Sequence, residues 1–95
     1  MTEAKTGDTV RINYVGKLPD GNQFDSSEGR EPLEFQIGSG QIIGGLDRGV
    51  QGMKVGGERT LIIPADMAYG AQGAGGMIPP NAPLIFDVSL KGVQK

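Results

Sequence analysis

The sequence predicts an α+β domain, a twisted antiparallel sheet of four to five strands wrapped around one short helix. Three observations carry that prediction. Apolar residues recur at every second position in three separate segments, one segment alone spaces them three and four apart, and 17 glycines and 6 prolines punctuate the chain. Glycine at 17 of 95 residues is more than twice the average of roughly 7%, yet 37% hydrophobic and 21% charged residues are ordinary globular values. The composition therefore describes a turn-rich fold and not a disordered one. Residues 1–95 make a single domain with one core, so a binding site must share its walls with that core.

From Thr9 to Leu18, Val10, Ile12 and Tyr14 alternate with Arg11 and Asn13, which predicts a strand with one buried face. Pro19-Asp20-Gly21-Asn22 combines a fixed φ with residues that tolerate positive φ, a turn that returns the chain into a short strand at Gln23-Phe24-Asp25. Ser26 to Pro32 is polar and irregular. Leu33-Glu34-Phe35-Gln36-Ile37 alternates again until Gly38-Ser39-Gly40 ends it. Between Ile43 and Met53 the apolar positions Ile43, Leu46, Val50 and Met53 fall on one helical stripe. Glycine costs up to about 1 kcal/mol relative to alanine inside a helix, so burial against the sheet must hold this segment. Its glycines also let it lie very close to a strand. Glu58 to Ile63 is a β-branched strand stopped by Pro64, and Leu84, Phe86, Val88 and Leu90 alternate in a last strand reaching Lys91.

The chain has no Cys, His or Trp. That removes thiolate and imidazole metal sites, His-assisted nucleophiles and disulfides, leaving carboxylates, Tyr, Lys, hydroxyls and backbone groups for any chemistry. No metal and no cofactor are expected. A net charge of −2 without a Lys/Arg block lacks the electrostatic footprint of a nucleic-acid or anionic-membrane partner. The first residues carry no apolar signal region, and no stretch approaches the roughly 20 apolar residues that cross a bilayer. A monomer acting in the cytoplasm is the expectation.

The glycine-rich stretch Gly70-Ala71-Gln72-Gly73-Ala74-Gly75-Gly76 is followed by prolines and not by a helix start, which argues against a phosphate cradle. Residues 70–83 read instead as a loop, glycine-hinged first and proline-stiffened after, of the kind that overhangs sites. Ile78 either plugs the core or lines a cleft. Tyr69, beside Gly70, suits a site role and a structural role equally. Asp25 either bonds backbone at a loop start or partners a tyrosine hydroxyl, and Arg30 by itself reads as a solvated cation.

Five spaced motifs change this balance. Gly21-Asn22-Gln23-Phe24-Asp25-Ser26-Ser27, the run Gly45 to Gly56, Ala68-Tyr69-Gly70, Ile78-Pro79-Pro80-Asn81-Ala82 and Leu84-Ile85-Phe86-Asp87-Val88 resemble, in collinear order over residues 7–91, the FKBP family of tacrolimus-binding peptidyl-prolyl cis-trans isomerases. The resemblance implies an apolar cleft that receives a prolyl ring, lined by Tyr14, Phe24, Ile42, Ile43, Tyr69, Ile78 and Phe86. It also implies that Asp25 is bonded to the Tyr14 hydroxyl with Arg30 near, that the Ile43 N–H and Tyr69 hydroxyl bond substrate carbonyls, and that residues 70–83 form a flap. Leu46 and Leu33 stand where many members carry Trp and Phe, and would line the substrate site with a less aromatic floor. Ala74 stands where some members have His. The start of the chain and the Pro32-Leu33-Glu34-Phe35 wording resemble the SlyD-like branch, without room for its inserted domain and without its His-rich tail.

The implied partners are proline-containing peptides and folding polypeptides, with tacrolimus and rapamycin as candidate ligands. Rotation about an Xaa-Pro bond faces a barrier near 18–20 kcal/mol but breaks no bond. Binding the twisted amide better than either planar form is enough, so the missing His and Cys are no obstacle. The alternative is a non-catalytic module that holds proline segments, or shields exposed chain, in a cleft whose Leu46 and Leu33 floor is too loose to catalyse.

Overall fold

Period-two alternation becomes pairing in the computed structural model, which describes residues 3–94. The strands are β1 (Thr9–Lys17), β2 (Gln23–Ser26), β3 (Leu33–Gln36), β4 (Glu58–Ile63) and β5 (Leu84–Gln94), with an α-helix, α1 (Gly44–Gly49), between β3 and β4 and two short 3-10 turns, Ala65–Met67 and Gly70–Gln72, between β4 and β5. All pairings are antiparallel, in the order β2-β1-β5-β4, and β3 shares with β2 the same flank of β1. β3 covers Thr9–Ile12 and β2 covers Val15–Lys17, so the irregular stretch after Ser26 is the step from one half of that flank to the other.

Val10, Ile12, Phe35, Leu84, Val88 and Leu90 point from the sheet into a core closed on the other side by Leu46, Val50 and Met53. The opposite sheet face is polar, with Thr60 donating to Asp87 Oδ1 at 2.8 Å and Lys17 3.7 Å from Asp87 Oδ2.

α1 is shorter than the Ile43–Met53 stripe predicts. It ends at Gly49, the Arg59 guanidinium takes the carbonyls of Gly49 and Gln51 at 3.0 and 2.8 Å, and Gly52 turns away at φ +85°. Val50, the C-cap, and Met53, beyond the helix, keep their buried side of the stripe, so the spacing located the face correctly but overran the element. The glycines act as expected: a Cβ on Gly45 would collide with Ile63, and one on Gly49 with Leu61. β5 runs past Lys91 to Gln94 because a bulge there shifts the register between Arg11 and Ile12. No helix among the described residues is long and apolar enough to cross a membrane.

Candidate active site

The site begins at a glycine on the inward face of β1. Gly16 pairs with Phe86, and the register with β2 slips there, Asp25 facing Gly16 and Gln23 facing Lys17. The extra residue in that bulge is Phe24. With no side chain on Gly16, two rings occupy the vacated space: a Cβ there would lie 2.7 Å from Phe24 Cζ and 3.0 Å from Phe86 Cε1. Phe24 meets Phe86 edge-on, centroids 5.6 Å apart at 85°, and Tyr14 meets Phe86 at 5.9 Å and 49°. Phe86 is 4% exposed, whereas Tyr14 and Phe24 are half-buried.

At the rim, the Tyr14 hydroxyl donates to Asp25 Oδ2 at 2.9 Å, and Arg30 Nη2 lies 3.1 Å from Asp25 Oδ1 and 3.4 Å from the Tyr14 hydroxyl. Arg30 also donates to the Ser26 carbonyl. Burial, then the hydrogen bond to Asp25 and its negative charge, raise the Tyr14 pKa above its ordinary 10.0, and the Arg30 charge opposes them. The phenol is therefore held protonated, as a donor.

Leu33, Ile42 and Ile43 are half-buried and packed against the core, each with surface left open. Leu46 and Ile78 are buried within the core itself. Ile78 thus resolves as a core plug at the root of the loop, while its neighbour Met77 is exposed. The 70–83 loop is closed on itself, Asn81 N–H donating to the Gly70 carbonyl at 2.8 Å and Ala74 bridging Ile78. Tyr69 makes no ring contact among the described residues: it is 41% exposed and its hydroxyl has no hydrogen-bond partner among them. The Ile43 N–H is likewise unbonded within the described chain, although its carbonyl accepts from Leu46 and Asp47 at 3.2 and 3.1 Å. Two donors are left unbonded and one, the Tyr14 hydroxyl, is engaged.

A separate concavity lies elsewhere. A groove of about 730 Å³ crosses the outer sheet face between Asn13, Thr60, Asp87, Ser89 and the Ser27–Arg30 loop, touching the ring cluster through Tyr14 and the rim through Arg30. Tyr14, Val15 and Val88 share its lining with the polar side chains. Among the described residues no three His, Cys, Asp or Glu side chains gather as a metal site.

Two contributors were not singled out in the sequence. Gly16 left a signal, a glycine where β1's apolar alternation calls for a side chain. Ser27, buried, accepts the Tyr14 N–H on its Oγ at 2.8 Å and returns its own N–H to the Tyr14 carbonyl at 2.9 Å, fixing the backbone behind the ring. No spacing in the polar 26–32 stretch announces that role.

Comparison with known proteins agrees with this architecture. The family model for FKBP-type peptidyl-prolyl cis-trans isomerases matches residues 1–91. An FK506-binding protein of Neisseria meningitidis serogroup C is 54% identical over 89 residues, 93% of this chain and 82% of that protein. FK506-binding protein 2 of Dictyostelium discoideum is 54% identical over 92 residues, 96% of this chain and 69% of its own. The crystal structure of a peptidyl-prolyl cis-trans isomerase from Pseudomonas syringae pv. tomato superposes with a TM-score of 0.84 at 41% identity, covering 99% of this chain and 69% of that one. The class so defined is the peptidyl-prolyl cis-trans isomerases. Within it, the chain belongs to the FKBP-type family.

Proposed function

We propose that the ring cluster over Gly16 is where the enzyme seats the prolyl ring of its substrate, and that rotation is accelerated there without any reactive side chain. The observation that carries this reading is the packing of Tyr14 and Phe24 against Phe86, which brings three aromatic rings together. Phe24 and Phe86 form the floor, with Ile42, Ile43 and Leu33 around it and Ile78 anchoring the 70–83 flap. The Ile43 N–H and the Tyr69 hydroxyl bond the substrate carbonyls. Asp25 and Arg30 hold the Tyr14 ring from the rim.

A twisted amide loses its charge-separated resonance form, so an apolar surface that strips water from the carbonyl favours it over both planar isomers. Each tenfold gain in rate needs 1.36 kcal/mol, which a few oriented contacts supply. Leu46 bears on the loose-floor alternative: it is buried in the core and gives the floor a packed base. The same reading takes proline-containing segments of folding polypeptides as substrates, tacrolimus and rapamycin as ligands, and a monomer as the working form.

A prolyl-peptide isomerisation assay at micromolar protein tests the proposal, with Phe86→Leu and Tyr69→Phe beside the wild type. The expected outcome is catalysis well above background, reduced in both variants. Wild-type rates kept by both variants would place the site elsewhere.

A further inference from the structure

The loop that presents Ile42 and Ile43 is tied down at two points, and neither tie touches the ring cluster. Asp47 is a charged residue 6% exposed, and its Oδ1 accepts the Gly38 N–H at 2.8 Å while its own N–H donates to the Ile43 carbonyl at 3.1 Å. One residue thus grips both ends of the 38–43 segment. The second tie is Gln41, whose Oε1 accepts the Gln36 N–H at 2.8 Å and the Ser39 hydroxyl at 2.9 Å. A buried carboxyl group is costly unless bonded, so it recurs where it fixes geometry that apolar packing does not.

We infer that Asp47 and Gln41 are positioning residues for the reaction: they clamp the 38–43 segment so that the Ile43 N–H faces the substrate carbonyl. Gly38 and Gly40, at φ +88° and +77°, make a segment that many conformations would otherwise satisfy. Ile43 precedes α1 with no side-chain cap of its own, so the direction of its N–H depends on where the segment is held. The inference rests on the proposed contact between Ile43 and substrate.

The test combines kinetics with backbone amide chemical shifts in Asp47→Ala, Asp47→Asn and Gln41→Ala. Asp47→Ala is expected to move the Gly38 and Ile43 amide signals of the free protein and raise KM roughly three- to tenfold, kcat staying within about twofold, the scale of one misaligned hydrogen bond. Asp47→Asn keeps the Oδ1 acceptor and should restore both readouts. Gln41→Ala changes an exposed side chain and should raise KM by about two- to threefold, which decides the matter if Asp47→Ala does not fold. Variants that lower only the melting temperature, with the Ile43 signal and KM as in wild type, overturn the inference while leaving the substrate contact intact. A prolyl peptide that leaves the wild-type Ile43 amide unmoved overturns the contact itself, and the inference with it.

Discussion

Tyr14 reaches diagonally across the β1–β2 pairing to Asp25, the partner of Gly16, with the phenol hydroxyl 2.9 Å from Oδ2, and this bond joins the ring cluster to the polar rim. The bulge at Gly16 makes it possible, since the residue it adds, Phe24, turns into the cluster and Asp25 is left beside the Tyr14 hydroxyl.

That bond sets a pH dependence. Because the folded pKa of Tyr14 is raised, first by burial and then by Asp25, its contribution to stability is fully present below the unfolded value near 10 and is lost as pH rises through the higher folded value. Absorbance titration in a Tyr69→Phe background, which leaves Tyr14 as the single tyrosine, should show a midpoint above 10.0. Asp25→Ala should bring that midpoint down.

Glycines in α1 should respond oppositely to alanine. Gly45→Ala drives a Cβ into the buried Ile63 side chain and should destabilise by about 1–3 kcal/mol despite its better helix propensity. Gly44→Ala meets nothing within 4 Å and should stabilise by about 0.4–1 kcal/mol. Urea unfolding midpoints of the two variants check the contrast.

Replacing Phe86 by Leu keeps an apolar side chain but removes both ring pairs, each worth about 0.5–1.5 kcal/mol. The expected loss is about 1–3 kcal/mol in urea stability, together with at least a roughly tenfold fall in kcat/KM for a prolyl peptide.

Tyr69→Phe separates function from folding, because the hydroxyl bonds nothing in the described chain. Stability should stay within about 0.5 kcal/mol of wild type, as for surface changes in general, while kcat/KM falls about three- to tenfold.

Much of this was legible because alternation and burial share a cause. The apolar faces of β1, β3 and β5 were readable from Val10-Ile12-Tyr14, Leu33-Phe35-Ile37 and Leu84-Phe86-Val88-Leu90. The end of β5 was not: the bulge at Lys91 inverts the phase, so Val93 pairs Val10 where an unbroken period would turn it outward. The helix was overrun for a related reason, since spacing reports which side is buried and not where Arg59 intercepts the carbonyls. Resemblance supplied Tyr14, Asp25 and Arg30 as a group, which residues 11 and 16 positions apart could not declare by themselves. Gly16, Ser27 and Asp47 act through absence of bulk or through backbone bonds, and such roles leave little mark on composition or periodicity.

The central claim is that rotation is accelerated by desolvation and shape, with no group that gains or loses a proton. The most direct measurement is the pH profile and solvent isotope effect of kcat/KM for an Xaa-Pro peptide. The account predicts a rate constant within about twofold from roughly pH 6 to 9, since no group acts as acid or base in the step, with an isotope effect near one. A bell-shaped profile, or a rate halved or more in heavy water, would contradict it.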